Sequence, residues 1–238
     1  MTYNVVVLAG GYGSRLKTIS GNIPKILTKI ANRKFIYWLE DNLKRLKFNK
    51  VYYIVSDASH LYDHVKIIDS KLDKKILTDG KKRYGTGGAI INNLNQLPDF
   101  FWIMYGDTLL NWDVNESENY FNSKNKNMMM TIINKDLGAD TPNVNVKGDL
   151  VIKYSKQKDF KYEFIDYGAL LVSKKIFQNF KKNEEIDLSE VINQQIQNKE
   201  CLYYETNYSF YEMGTIKSYN YLSKILLSKN KVGKLWEL

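Results

Sequence analysis

The stretch that decides the fold is VVVLAGGYGSRL at residues 5–16, followed by NIPK at residues 22–25. Its short run of β-branched and apolar residues predicts a buried strand from Thr2 to Leu8. The strand passes directly into three glycines within four positions, and an arginine and a lysine follow. Because glycine leaves backbone N–H groups uncovered, such a loop can surround an anion. The stretch therefore predicts a first strand that ends in an anion-binding loop.

Strand and helix patterns alternate through the first ~110 residues. Further strands are predicted at 50–55, 74–77 and 99–105, and helices at 34–48, 62–72 and 87–97. This alternation favours right-handed βαβ units and a Rossmann-like, doubly wound, mixed but mostly parallel sheet with helices on both faces. Ligands of such sheets bind at the carboxyl ends of the strands.

The second half is less regular. Strands are predicted at 127–133, 148–154, 162–172 and 202–211, and helices at 187–198 and 216–228. Asp187 and Glu190 have the spacing of a capping box at the start of the first of these helices. Since no linker or repeat interrupts the chain, residues 1–238 are predicted to form one domain, with a nucleotide-binding half at about 1–110 and a substrate-binding half at about 111–238.

Composition limits the classes of function. The 238 residues carry a formal net charge of +9, but the lysines are scattered and form no stripe with aromatic residues, so we expect no nucleic-acid partner. No apolar run is long enough for a membrane span, and the N-terminus lacks the pattern of a signal peptide. Cys201 is the one cysteine, which suits the cytoplasm and predicts an inert side chain. Trp38, Phe100, Phe101 and Trp102 are expected in the core, and His60 and His64 at the surface.

The cations that follow the glycines identify the expected anion. Arg15 offers a planar fork that suits phosphate, and Lys25 adds a compact charge after Pro24. Together with the glycine loop they suit a triphosphate. The spacing does not match a Walker loop, and Leu16 stands where a dinucleotide-binding fingerprint requires its third glycine.

Several motifs in one order resemble the sugar-1-phosphate nucleotidylyltransferases. LAGGYGSRL with PK at residues 24–25 is similar to the family's L-A-G-G-x-G-T-R-L and P-K-P. RYGTGGA at residues 83–89, YGDT at 105–108, YSK at 154–156 and YEMGT at 211–215 follow in family order. The subgroup that the chain most resembles is the heptose-1-phosphate guanylyltransferases.

The resemblance implies that an NTP and a sugar 1-phosphate give an NDP-sugar and pyrophosphate with Mg²⁺. It implies catalytic roles for Arg15 and Lys25. The implied nucleotide-binding residues are Leu8, Ala9, Gly10, Gly11, Gly13, Ser14, Arg15, Lys25, Gly85 and Thr86. The implied residues for the sugar phosphate are Gly106, Lys156 and Asp166, and the implied metal ligands are Asp107 and Glu212. Asp79 and Lys81 are candidates for base selectivity, and a homo-oligomer stays open.

Some positions depart from the family pattern. Asp166 stands where the family has asparagine, Glu212 where it has aspartate, and Ile26 where it has the second proline. The departures at Asp166 and Glu212 leave open a cytidylyltransferase acting on a non-sugar phosphate or phosphonate. A further alternative is a non-catalytic nucleotide-sugar sensor, against which the retained Arg15, Lys25 and Asp107 argue. The preferred interpretation is a guanylyltransferase for a heptose- or mannose-like 1-phosphate that serves surface polysaccharide synthesis.

Overall fold

A nine-stranded sheet forms the centre of the computed structural model, which describes residues 3–11, 16–21, 23–56, 72–78, 82–137, 140–156 and 161–237. The strands of the described residues are β1 (Tyr3–Leu8), β2 (Lys29–Ile30), β3 (Arg33–Lys34), β4 (Phe48–Val55), β5 (Asp73–Thr78), β6 (Phe100–Tyr105), β7 (Thr108–Leu109), β8 (Met128–Asn134), β9 (Val144–Lys147), β10 (Leu150–Tyr154), β11 (Phe164–Ser173), β12 (Cys201–Thr206) and β13 (Tyr211–Glu212); β2, β3, β7 and β13 lie outside the nine-stranded sheet. The α-helices of the described residues are α1 (Lys17–Ser20), α2 (Phe35–Arg45), α3 (Gly85–Asn93), α4 (Val114–Ser123), α5 (Leu188–Gln197) and α6 (Ile216–Lys229).

The order of strands in the main sheet is β5-β4-β1-β6-β11-β8-β12-β10-β9. The first four are mutually parallel, as the alternating pattern predicts. β11 runs antiparallel to both β6 and β8, and β12 pairs in parallel with β8. The predicted Rossmann-like mixed sheet is therefore confirmed, and its antiparallel pairings lie in the second half of the chain.

Helices cover both faces of the sheet, which explains why β1 is apolar throughout. Val5, Val6 and Val7 are all fully buried. Val5 and Val7 belong to a core with buried residues of α2, α4 and α6, whereas Val6 belongs to a second core with residues of α3 and α5. Because successive side chains of a strand point to opposite faces, a strand between two layers has no solvent-facing position. In the described part of the chain, no helix is long and apolar enough to cross a membrane.

Three parallel strands end side by side at the edge of the sheet where a ligand is expected. The amide of Ala9, just after β1, donates to the carbonyl of Ile54 in β4 at 2.9 Å. The amide of Gly106, just after β6, donates to the carbonyl of Leu8 at 3.0 Å. These bonds fix the two loops that follow β1 and β6 against each other.

Some elements differ from the sequence predictions. Helix α4 was not predicted, because the apolar positions that it buries are few, although Asp113 caps it by accepting from the Glu116 amide at 2.8 Å. The predicted strand at 202–211 is two strands, β12 and β13, and β13 pairs with β7 outside the main sheet. Helix α2 ends at Arg45 instead of continuing to residue 48, since Lys47 has a φ of 64° and Phe48 begins β4.

The remaining predictions concern one helix cap, the core residues and the two histidines. The capping box of Asp187 and Glu190 is confirmed at the start of α5. Cys201 is buried, as expected, and so are Trp38, Phe101 and Trp102. The assignment of Phe100 to the core was wrong, because its side chain is 52% exposed at the first position of β6 and packs edge-on against Phe121. The predicted helix at 62–72, with His60 and His64, lies outside the described residues.

The glycines at the start of α3 receive a neighbouring segment from the second half of the chain. The amides of Gly87 and Gly88 both donate to the carbonyl of Ile186, at 2.9 and 3.0 Å. Gly85 has a φ of +74°, and a Cβ placed on it would lie 2.9 Å from the carbonyl carbon of Ile186 and nearer still to its oxygen. These glycines are therefore required for close packing between the two halves.

This packing predicts that Gly85→Ala destabilises the protein more than Gly148→Ala. Both residues have positive φ, but a Cβ on Gly148 would meet open space. We expect a loss of about 1–2 kcal/mol for Gly148→Ala from the left-handed backbone alone. We expect roughly 2–5 kcal/mol for Gly85→Ala, because overpacking is added. Urea unfolding measures the free energy of unfolding of both variants. Equal losses would show that the Ile186 segment can move away from the added Cβ at little energetic cost.

Candidate active site

A cavity of about 340 Å³ opens at the carboxyl ends of β1, β4 and β6. The predicted site residues that line it come from four separate stretches: Leu8, Ala9, Gly10 and Gly11, then Lys25, then Gly85 and Thr86, and finally Gly106 and Asp107. The fold thus brings together residues that are up to about a hundred positions apart in the chain. Gly13, Ser14, Arg15, Asp79 and Lys81 lie outside the described residues.

The side of the cavity next to β4 is mainly apolar. Leu8, Ala9, Ile54 and Ala89 line it, and the start of α3 closes it. The Thr86 hydroxyl accepts a hydrogen bond from the Leu188 amide at 2.9 Å, so this oxygen is already used in holding α5. A flat, apolar slot with backbone at its rim is the kind of surface that accepts an aromatic base.

The side next to β6 is charged, and its central contact is an ion pair between Lys25 Nζ and Asp107 Oδ2. Lys25 begins a 3₁₀ turn that the buried side chains of Ile26 and Leu27 anchor in the core. Burial of Ile26 thus restrains the backbone at the position where the ring of a proline would otherwise do so. Asp107 follows β6 directly, and its carbonyl accepts from the Met213 amide at 2.9 Å.

Glu212 lies beside this ion pair, because β13 places it opposite Thr108 in β7. Burial raises the pKa of the Glu212 carboxyl, and the negative charge of Asp107 raises it further. A hydrogen bond with Ser218 and the ammonium of Lys25 oppose this shift. The Lys25 ammonium therefore pairs with Asp107 and acts on the Glu212 carboxyl through its charge. Within the described ranges, no set of three or more His, Cys, Asp or Glu side chains is grouped as metal ligands.

Lys156 and Asp166 lie outside the lining of the cavity but close to it. The Lys156 ammonium pairs with Asp187 Oδ1 at 2.9 Å. Asp187 is the N-cap of α5 and follows Ile186, which packs on the glycines of α3. Asp187 pairs with Lys156, and its neighbour Ile186 packs on α3. These two residues thus hold Lys156 near the apolar side of the cavity.

Asp166 is half-buried in β11 and well bonded. Its Oδ1 accepts from the Gly168 amide at 2.9 Å, and its own amide donates to Asn143 Oδ1 at 2.8 Å. Tyr154 also hydrogen-bonds to its side chain. Burial raises the pKa of the Asp166 carboxyl, and the hydrogen bonds and the charge of Lys156 only partly offset this.

Tyr105 lies near both Asp166 and the Lys25–Asp107 ion pair, and no role was predicted for it from the sequence. It lines the cavity at the end of β6, and burial raises the pKa of its hydroxyl, with further contributions from the charges of Asp166, Asp187 and Asp107. Its ring therefore lies within electrostatic range of both the ion pair and the Lys156 region. Its position directly before Gly106 and Asp107 was the signal that could have identified it.

Arg83 is a second lining residue to which the sequence assigned no role. Its Nη2 donates to the carbonyl of Gly10 at 3.2 Å, which places a guanidinium against the glycine loop. The arginine belongs to the RYGTGGA motif, but there only the glycines and the threonine carried the resemblance.

Comparisons with known proteins identify the family of the chain. Residues 4–229 match the family model described as Nucleotidyl transferase. The chain is 29% identical over 190 residues to the D-glycero-alpha-D-manno-heptose 1-phosphate guanylyltransferase of Campylobacter jejuni, an alignment that covers 79% of this chain and 83% of that protein. It is 25% identical over 207 residues to the bifunctional protein GlmU of Methanococcus maripaludis, where the alignment covers 82% of this chain and 47% of the relative.

Solved structures show the same fold. HddC from Yersinia pseudotuberculosis complexed with GMP-PN has a TM-score of 0.75 at 22% identity, covering 94% of this chain and 100% of that one. The UTP-bound UGPase from Acinetobacter baumannii has a TM-score of 0.77 at 15% identity, covering 98% and 96%. Since the family model spans nearly the whole sequence, the chain belongs to the nucleotidyl transferase family and is an enzyme of the sugar-1-phosphate nucleotidyltransferase type.

Proposed function

We propose that the protein joins GTP and a heptose- or mannose-like sugar 1-phosphate, with Mg²⁺, to give a GDP-sugar and pyrophosphate for surface polysaccharide synthesis. The observation that carries this proposal is the Lys25–Asp107 ion pair in a cavity edged by the glycine loop. The guanylyltransferase of Campylobacter jejuni, 29% identical over most of its length, supports the choice of base and sugar.

In this reaction the protein would contribute positioning and electrostatic stabilisation and little covalent chemistry. An oxygen of the sugar phosphate attacks the α-phosphorus, and the bond from that phosphorus to the pyrophosphate oxygen breaks. Because the nucleophile is already ionised near neutral pH, no general base is required. Two anions must approach each other, so fixed cations and backbone dipoles lower the barrier.

Lys25 and Arg15 would supply those cations. An ammonium has three N–H donors, so Lys25 can keep one contact with Asp107 and donate to an α-phosphate oxygen. The amides of Gly10 and Gly11 lie beside it in the lining of the cavity. Arg15, placed by the sequence in the same loop, would neutralise the leaving pyrophosphate.

Asp107 and Glu212 would hold Mg²⁺. Burial and then the charge of Asp107 raise the pKa of the Glu212 carboxyl, which indicates that the two carboxyl groups lie near each other. Mg²⁺ prefers one or two carboxylates together with phosphate oxygens, and this donor set is of that kind. The ion, when bound, would neutralise charge on the phosphates.

Lys156 and Asp166 would receive the sugar phosphate. The exposed ammonium of Lys156 suits the phosphate, and the free lone pairs of Asp166 suit sugar hydroxyls. Tyr105 lines the cavity, and the charges of Asp166, Asp187 and Asp107 all act on its hydroxyl, so the acceptor would lie near the ion pair.

Pyrophosphate release from each of the four common NTPs with a panel of sugar 1-phosphates tests the proposal. GTP with a heptose or mannose 1-phosphate is expected to be fastest. Lys25→Met and Arg15→Ala should each lower kcat by roughly 10²- to 10³-fold, because each removes charge stabilisation from the transition state. Lys29→Met, at an exposed position of β2, is the matched control.

Three outcomes would contradict this assignment. No pyrophosphate with any pair would favour a nucleotide-sugar sensor. Turnover with CTP and a non-sugar phosphate would select the cytidylyltransferase. An unchanged rate in Lys25→Met would remove that residue from the reaction.

Lys156→Met is expected to raise the KM for the sugar phosphate by about 10- to 100-fold, the effect of one lost charge-assisted hydrogen bond. The dissociation constant of the NTP should stay unchanged, because Lys156 lies outside the lining of the nucleotide cavity. Lys124→Met provides the comparison, since Lys124 is also an exposed lysine paired with an aspartate, at 2.8 Å. Equal effects of the two variants would contradict an acceptor role.

Asp166→Asn should stabilise the protein increasingly as pH rises. The raised pKa of Asp166 means that the folded state binds more protons than the unfolded state between the usual and the raised value. Stability of the natural protein therefore falls as pH rises through that window, and asparagine removes this loss while keeping the acceptor for the Gly168 amide. Urea unfolding from pH 4 to 7 measures the difference, and a constant difference would refute the shift.

A further inference from the structure

The outer side of α6 carries large apolar residues that are exposed to solvent. Leu222 and Leu226 are fully buried and attach the helix to the core. On the opposite side, Ile216, Tyr221 and Leu227 are 46%, 61% and 56% exposed. Helical spacing places the exposed residues of the helix on one continuous arc, which we call the α6 face: Ile216, Lys217, Asn220, Tyr221, Lys224, Leu227 and Ser228. Exposed apolar residues are ordinary when they are scattered, but three on one arc favour a contact surface.

The charges of this segment of the chain are all positive. Residues 216–236 include five lysines and no aspartate or glutamate. Lys217 and Lys224 lie on the α6 face, and Lys231 and Lys234, just after the helix, are exposed as well. Within the described ranges, none of these four ammonium groups forms an ion pair with a carboxylate. The segment therefore combines positive charge that no ion pair neutralises with exposed apolar side chains.

We propose that the α6 face binds the surface of a membrane that contains anionic lipids. A basic helix face with exposed aliphatic and aromatic side chains is typical of helices that lie in the plane of the membrane interface. The apolar side chains would enter the headgroup region, and the lysines would remain at its anionic phosphates. The residues of the α6 face do not line the nucleotide cavity, so a bound membrane would leave that cavity accessible.

Charge and shape disfavour other occupants of the α6 face. In a two-fold dimer the same patch meets itself, so the lysines of one copy would face the lysines of the other. Because the face carries no carboxylate, nothing on it would compensate for this repulsion. A nucleic acid would pair with the lysines but would leave Ile216 and Leu227 exposed to water. An anionic membrane offers both a negative surface and an apolar layer beneath it.

Co-sedimentation of the protein with vesicles tests the proposal. The natural protein should bind vesicles of phosphatidylcholine and phosphatidylglycerol in a two-to-one ratio, and should not bind phosphatidylcholine alone. Lys217→Ser/Lys224→Ser should weaken this binding roughly 25-fold, since each lysine near an anionic surface contributes about fivefold. Lys181→Ser/Lys182→Ser is the matched control and should change binding by less than about twofold. Both of its lysines are exposed and follow Phe180, which packs on the second core, on the other face of the sheet from α6.

A second variant separates insertion of apolar side chains from attraction by charge. Ile216→Ser/Leu227→Ser keeps the net charge and should weaken vesicle binding by about tenfold or more, because it removes the apolar area that enters the membrane. Its unfolding midpoint in urea should equal that of the natural protein, since both residues are exposed.

Three results would overturn the proposal. Equal losses in the two lysine variants would show that binding follows net charge alone. Full binding by Ile216→Ser/Leu227→Ser would show that the apolar residues do not enter the membrane. If the natural protein does not bind the anionic vesicles, the α6 face serves another occupant, and a dimer that Ile216→Ser/Leu227→Ser disrupts in sedimentation velocity would identify a second copy. None of these measurements uses a nucleotide, so their outcome is independent of the proposed function.

Discussion

The burial of β1 on both faces and its bonding on both edges determine where every group of the cavity lies. Val5, Val6 and Val7 are fully buried between two cores, so the strand has one position and one register. Its carboxyl end bonds to β4 through Ala9 and to the loop after β6 through Leu8. The glycine loop, the apolar slot and Asp107 are consequently placed by a strand that cannot shift without breaking its hydrogen bonds to β4 and β6 and disturbing the packing of both cores.

Charge in the cavity is balanced within the protein. Lys25 bonds to Asp107, and Glu212 lies close enough for its pKa to rise with the charge of Asp107. An isolated ammonium or carboxylate in a half-buried site would be costly, and the pair reduces that cost. In the proposed reaction, a triphosphate with its counter-ion would bring both a new anion for the lysine and a new cation for the carboxylates.

The segment before α5 connects the two halves of the chain. Ile186 binds the glycines of α3, Asp187 holds Lys156, and the Leu188 amide bonds to Thr86. Three consecutive residues thus join the apolar slot to the lysine proposed for the acceptor. This packing explains why positions 85, 87 and 88 are glycine, since a Cβ on any of them would press on residues of the second half.

The sequence by itself determined the parallel half of the sheet, the glycine-rich turn after β1, and the cap of α5. These follow from local patterns: an apolar run, bare backbone, and capping residues at fixed spacing. Helix α4, the split between β12 and β13, and the exposure of Phe100 depended on neighbours far along the chain, which local patterns do not contain. The tertiary structure alone decided that Arg83 and Tyr105 line the cavity and that Ile186 and Asp187 hold the glycines of α3 and Lys156, because strand pairing and loop packing bring together residues that no spacing connects.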